Sequence, residues 1–269
     1  LFVDIDKFYH LDTEEMRKVT GSKEFALPEL KAILFVDLYG QTPDIDKIKT
    51  FAKDYNLKVI EDAAQSFGAE YKGKKVGSLV DLTCFSFNPV KNLGAMGDAG
   101  AVTGKKELID KVRMYRNHGR RTQFEYDVVG YNSRIDNLQA VVIESKLKKL
   151  NEWTEKKRKI CHRYTAELKG IVKCPEEAPW SYHTYYVYVI ETPERTRNAL
   201  QKHLKAKGIQ TNIHYRSPTH TTKAFEQYGT KLPRTEYVCD NILSLPCYFT
   251  LPKHHQDYII KAIKEFYNS

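Results

Sequence analysis

Up to about residue 105, short β-rich apolar runs alternate with polar stretches of helical period. "AILFVDLYG" (32–40) reads as a buried strand, "DIDKIKTFAKDYN" (44–56) as an amphipathic helix, and "LKVIED" (57–62) as the next strand. Such alternation predicts βαβ units and a mainly parallel sheet covered by helices. Open parallel sheets bind ligands beyond the carboxyl ends of their strands. That rule directs attention to Asp62, to Tyr39 and Gly40, and to whatever follows "LTCFSF" (82–87). The chain opens on "LFVDID", an apolar run ending in acids that reads as a strand already in progress.

After residue 135 the period changes. "IDNLQAVVIESKLKKLNEWTEKKRKICHRYTAEL" carries apolar residues at helical spacing (Leu138, Val141, Val142, Leu147, Leu150, Trp153) with no Gly or Pro. One continuous helix there would be about 50 Å long, an element that often joins domains. Beyond it, "TYYVYVIE" (184–191), "TRNALQKHLKAKGI" (196–209), "QTNIHYR" (210–216) and a last helix near Gln256 to Tyr267 predict a small α+β domain. The expected division is residues 1–150 for the sheet domain and 151–269 for the small one.

Composition narrows the class. At 269 residues, with 41% hydrophobic and 29% charged residues, the chain can bury a sizeable core. No run approaches the roughly 18 apolar residues that span a bilayer, and the first residues lack the pattern of a signal peptide, so a cytoplasmic protein with no membrane role is expected. Five cysteines without a C-x-x-C pair argue against a disulfide framework and a structural zinc site. The formal charge of +9 is spread along the chain, and its densest run, "EKKRK" (155–159), is that of a solvated helix face. Nucleic acid is therefore not an expected partner, and a phosphorylated small molecule suits the charge as well.

Several motifs fail on inspection. "GAEYKGKK" (68–75) has Lys75 where a phosphate loop needs Ser or Thr, and Gly94, Gly97 and Gly100 lack dinucleotide-fold spacing. The nine histidines show no metal-binding spacing, and no G-x-S-x-G elbow surrounds a serine. Three segments remain: "VIEDAAQSFGA" (59–69), "FSFNPVKNLGAMGDAGA" (85–101) and "GYNSRIDNLQA" (130–140). Singly, each has an ordinary reading: Asp62 as a helix cap, Ser86 as an inward strand serine, Asn132 as a turn residue. Together they fit pyridoxal phosphate chemistry. It needs a lysine to hold the cofactor as a Schiff base, a carboxylate to keep the pyridine nitrogen protonated, and donors for the phosphate. Asp62 ends one expected strand, Ser86 ends another, and Lys91 follows in the loop at the same edge, where its amine could shuttle protons.

These ordered motifs resemble the DegT/DnrJ/EryC1/StrS aminotransferases, in which E-D-A-A-Q, S-F-x-x-x-K-N-x-G-x-x-G-[DE]-x-G and G-Y-N-x-R follow in this order. The likeness extends through "RNHG" (116–119), "IHYRSPTH" (213–220) and "SLPCY" (244–248). It implies an α/β, fold-type-I (aspartate aminotransferase-like) large domain with a small α+β C-terminal domain. It also implies transfer of an amino group from L-glutamate to a keto carbon of a nucleotide-diphosphate sugar, with pyridoxal 5'-phosphate as cofactor. Lys91 becomes the Schiff-base lysine, Asp62 the partner of the pyridine nitrogen, Gln65 a neighbour of the ring hydroxyl and Ser86 a phosphate ligand. Asn132 would reach the phosphate in the neighbouring subunit, so a homodimer with shared active sites is expected. His183, Tyr215 and His220 are candidate sugar or nucleotide contacts, with packed polar side chains the competing reading. A dehydratase branch carries His in place of the lysine, against which Lys91 argues; a binding or regulatory protein of the same fold is the further alternative. Two departures stand out. Ala99 occupies a position that is usually Gly, and family members carry roughly a hundred residues before "LFVDID". Those residues hold a Gly-Thr or Gly-Ser helix start that cradles the cofactor phosphate and a group over the ring, so the N-terminal part of the large domain is expected to be absent from this chain.

Overall fold

The computed structural model describes residues 1–21 and 30–268. In chain order the helices are α1 (Thr13–Gly21), α2 (Ile45–Asp54), α3 (Lys106–Tyr115), α4 (Asn137–Leu147), α5 (Leu150–Leu168), α6 (Arg197–Ala206), α7 (Pro233–Asn241) and α8 (Lys253–Asn268). The strands are β1 (Ala32–Val36), β2 (Lys58–Asp62), β3 (Glu70–Tyr71), β4 (Lys74–Lys75), β5 (Leu82–Ser86), β6 (Gly100–Gly104), β7 (Ser181–Tyr182), β8 (Tyr188–Glu191) and β9 (Ile242–Leu245). Contacts divide the chain into two units. The sheet unit runs to Asn151 and takes in Trp180–Tyr182; the second unit combines the N-terminal segment, Glu152–Pro179 and the chain from His183 onward. The N-terminal segment thus groups with the later part of the chain.

The sheet unit is built on four strands in the order β1-β2-β5-β6. The first three are parallel, and β6 returns antiparallel to β5. Register sets the site: Val36 lies opposite Asp62, Asp62 opposite Cys84, and Ser86 opposite Gly100. Side chains alternate between faces, so Asp62, Cys84 and Ser86 share one face while Phe35, Glu61 and Thr83 share the other. The second face is closed, with Phe35, Val59, Glu61 and Thr83 all buried. Helix α2 buries Ile45, Ile48, Phe51 and Ala52, and Asp44 caps it by accepting the Lys47 N–H.

The strand expected over 32–40 ends at Val36 because Tyr39 adopts φ 62 within a turn of 3-10 helix. The single helix expected after residue 135 is broken at Lys148 and Lys149. There the Lys149 N–H bonds the Lys146 carbonyl three residues back, tightening the turn, and Lys146 reaches out to the Gly94 carbonyl at 2.6 Å. Nor do its apolar positions form one buried stripe. Ile143 packs against the buried Phe87, Leu93, Ala95 and Leu150, but Leu138, Val141 and Leu147 are exposed.

The second unit centres on the antiparallel pair β8–β9, buried along its whole length. Tyr164 and Leu168 of α5, Leu200 and Leu204 of α6, and Ile263 of α8 are among its fully buried side chains. Residues 184–187 do not join β8, since Tyr185 takes φ 49. "LFVDID" is not a strand either. Its acids are engaged otherwise: Asp4 accepts the Arg234 and Thr235 N–H groups at the start of α7, and Asp6 accepts those of Phe8 and His10. All five cysteines are free thiols, with Cys161 and Cys247 in sulfur contact at 3.0 Å. No helix among the described residues is long and apolar enough to cross a membrane, and no group of three His, Cys, Asp or Glu there could hold a metal ion.

Candidate active site

The two central motifs meet at the carboxyl edge of the sheet. After β2 the chain turns back through residues 63–68, where Asp62 Oδ1 accepts the Ala64 N–H at 3.0 Å. Phe67 from this turn packs edge-on against Phe85 and Phe87, with centroids 5.1 and 5.3 Å away. These contacts join "EDAAQSF" to "FSFNPVK". Asn92, beside Lys91, donates to the Gln65 carbonyl at 3.3 Å and closes the same junction.

The loop after β5 is held by its own polar groups. Ser86 Oγ accepts the Asn88 N–H at 3.3 Å, the Lys91 N–H bonds the Asn88 carbonyl at 2.9 Å, and Asn88 Nδ2 donates to Asp98 Oδ1 at 2.7 Å. Gly94 has a steric role, because a Cβ there would lie 2.4 Å from the Pro89 carbonyl oxygen. Ala99 in place of glycine is accommodated: it is not a positive-φ position, and its methyl packs with the Phe87–Leu93 cluster.

Lys91 is half-buried, and that desolvation holds its amine below the usual lysine value while the charge of Asp62 pulls the other way. Burial, with the same carboxylate adding to it, pushes the Cys84 thiol up. Asp62 is therefore within electrostatic reach of both residues on its face. Gln65 is buried, and its Oε1 accepts the Tyr39 N–H at 2.8 Å, which fixes the amide's orientation. Tyr39, marked out with Gly40 by the strand-end rule, reaches Gln65 through its backbone N–H.

The structure brings Asp62, Gln65, Ser86 and Lys91 to one edge. Asn132 is exposed in the same unit, on a segment zipped to "RNHG" by an Asn117–Asn132 bridge and the His118 N–H to Tyr131 carbonyl bond. His183, Tyr215 and His220 belong to the second unit. His183 is 1% exposed, stacks on Tyr185 at 3.9 Å, and takes the Tyr185 N–H on Nδ1, which places its ring proton on Nε2. Tyr215 is exposed next to His214, and His220 is buried against Glu236 at 3.0 Å. Asn92 and Ser66 escaped sequence reasoning. Asn92 had a signal in the K-N step of its motif, and Ser66 in its place directly after Gln65.

The DegT/DnrJ/EryC1/StrS aminotransferase family model matches residues 1–264. The chain belongs to that family of aminotransferases. It is 40% identical to the pleiotropic regulatory protein of Geobacillus stearothermophilus over 99% of this chain and 72% of the relative. It is 38% identical to the UDP-N-acetyl-3-dehydro-alpha-D-glucosamine 3-aminotransferase of Acidithiobacillus ferrooxidans, over 92% of this chain and 66% of the relative. The crystal structure of a DegT DnrJ EryC1 StrS aminotransferase from Brucella abortus superposes with a TM-score of 0.94 at 35% identity, covering 100% of this chain and 74% of that one. The chain thus spans roughly two thirds to three quarters of the length of these proteins.

Proposed function

We propose that the protein is a pyridoxal phosphate-dependent aminotransferase that moves an amino group from L-glutamate onto a keto carbon of a nucleotide-diphosphate-linked sugar. The carrying observation is that Asp62, Ser86 and Lys91, a half-buried amine held below its ordinary value by burial, come together at one carboxyl edge of the sheet. Family membership and the similarity to a sugar-nucleotide aminotransferase support the substrate class.

The donor set fits the cofactor. Asp62 suits a protonated ring nitrogen, the oriented Gln65 amide suits the ring hydroxyl, and the Ser86 hydroxyl, already accepting one N–H, retains its own proton for a phosphate oxygen. Bound there, pyridoxal phosphate would supply an electron sink for a carbanion at the substrate carbon. The chain's own part is proton handling and positioning. Burial keeps more of the Lys91 Nζ neutral and nucleophilic, and that atom carries a proton between carbon centres. His183, Tyr215 and His220 remain the proposed contacts for sugar or nucleotide.

A homodimer with shared sites goes with this reading. Val129, 94% exposed, and Leu138, 79% exposed, lie in a run of outward apolar residues that includes Phe124, Tyr131 and Val141 and flanks the exposed Asn132. A second copy covering that surface would bury it and carry Asn132 toward the neighbouring phosphate. Free thiols suit a reducing compartment, the cytoplasm.

The test is the absorbance of the intact protein with pyridoxal phosphate, before and after adding L-glutamate. Loss of the visible band of lysine-bound cofactor, and a nitrogen-containing product once a keto sugar nucleotide is added, are expected. A dehydratase would give a product without added nitrogen. A purely regulatory protein would show no glutamate-dependent change, and either result would overturn the proposal.

A further inference from the structure

Glu61 and Asp62 are neighbours on β2 that face opposite ways. Asp62 looks toward Lys91, whereas Glu61 turns to the closed face and meets Asp37, the residue after β1. Both Asp37 and Glu61 are 0% exposed. Each has one oxygen accounted for: the Ser66 hydroxyl donates to Asp37 Oδ2 at 2.6 Å, and the Thr83 hydroxyl to Glu61 Oε2 at 2.7 Å. Asp37 Oδ1 and Glu61 Oε1 are buried and have no other partner among the described residues. Two bare carboxylates here would bury two charges, and among the described residues the main groups acting on them include no cation. Those groups are Asp62 on β2, Thr83 on β5, Ser66 in the following turn and the Gly77 backbone N–H. A single proton between the two orphaned oxygens removes one charge and supplies the missing donor. Burial pushes both acids up, Asp37 the further, with repulsion from Glu61 and Asp62 adding to it there.

We propose that Asp37 and Glu61 share one proton and act as positioning residues, an acid–carboxylate pair that with Ser66 clamps the turn carrying Asp62 and Gln65 to the end of β1. Three hydrogen bonds from residues 37–39 make the clamp. The Asp37 carboxylate holds Ser66, the Asp37 N–H bonds the Asp62 carbonyl at 3.0 Å, and the Tyr39 N–H bonds Gln65 Oε1 at 2.8 Å. Gly77 is the close neighbour that lets this face shut, since a Cβ there would come within 2.8 Å of the Phe85 ring. The inference rests on Asp62 and Gln65 holding the cofactor, but the proton itself does not.

The experiment compares the intact wild-type protein with D37N, E61Q and D37A. At neutral pH the infrared spectrum of the wild type should contain the carbonyl stretch of a protonated, buried carboxylic acid, absent from D37N and E61Q. In the wild type the folded state binds one proton more than the unfolded state above the ordinary carboxylate range. Its unfolding constant should therefore rise about tenfold per pH unit in that window relative to D37N. D37A, which cannot bridge, should weaken pyridoxal phosphate binding about tenfold or more, while D37N, whose amide can donate to Glu61, should restore most of that loss. If D37A does not fold, the isosteric D37N and E61Q carry the test. A wild type without the carbonyl band or the pH slope overturns the shared proton. Equal cofactor affinity in D37A and wild type overturns the positioning role. A wild type that binds no cofactor defeats the aminotransferase reading and the positioning role, while the band and slope still decide the proton.

Discussion

The two faces of the central sheet differ in what they do with the same chemistry. On the open face Asp62 keeps a cation in view, the half-buried Lys91, and the face leads toward Ser86 and the loop beyond. On the closed face Glu61, one residue earlier, is shut in among Phe35, Val59 and Thr83 and meets a second acid instead of a base. Alternation along one strand therefore sends adjacent carboxyls into opposite electrostatic roles. Under the proposed function, the open face serves the cofactor. The other is fit for holding the first in place.

The most severe way to break this contrast is to remove the amine. Lys91→Ala should lower amino transfer by at least about 10³-fold and abolish the visible band of lysine-bound cofactor, measured by turnover and absorbance on the intact protein. Asp62→Asn keeps the shape but not the charge, and should lower turnover about a hundredfold while the fold survives. On the closed face the effect should appear in stability. Phe35→Ala is expected to cost about 3–5 kcal/mol in denaturant unfolding, leaving the reactivity of Lys91 toward amine reagents unchanged in the protein that remains folded. A loss of Lys91 reactivity in that variant would show that the faces are not separable.

Much of the open face was legible in the sequence. The βαβ alternation put Asp62 and Ser86 at strand ends, and the spacing to Lys91 survived folding because both sit at the same carboxyl edge. What failed depended on contacts that no local pattern encodes. "LFVDID" has strand composition, but Asp4 is claimed by the start of α7, more than 200 residues away. Apolar spacing in 137–147 predicts a helix correctly without revealing which side is covered, and Leu138 and Val141 are exposed. Asp37 had no signal beyond its place after an apolar run, because its partner, Glu61, reads as an ordinary strand acid until the fold buries both.

A smaller effect tests whether Ser86 serves a phosphate. Ser86→Ala removes one hydroxyl donor and should weaken pyridoxal phosphate binding about tenfold, with pyridoxal lacking the phosphate bound equally by both proteins. Equal loss for the two ligands would mean that Ser86 acts by bracing Asn88 and the loop.

The finest test uses the sign of proton linkage. Lys91 is held below its ordinary value by burial, with Asp62 opposing that shift. Between the lowered value and the usual one near 10.5, the unfolded chain binds more protons at this site than the folded protein. The lysine's contribution to stability is thus complete above the ordinary value and is lost as pH falls through the lowered one. The acid pair has the reverse sign, losing stability as pH rises above the carboxylate range. Removing the opposing charge should exaggerate the lysine's behaviour. In Asp62→Asn the midpoint for labelling Lys91 with an amine reagent, followed by peptide mass spectrometry across pH, is expected to move down from the wild-type midpoint. An upward shift would mean that Asp62 does not hold a proton on Lys91, and the open face would lose the charge pairing that separates it from the closed one.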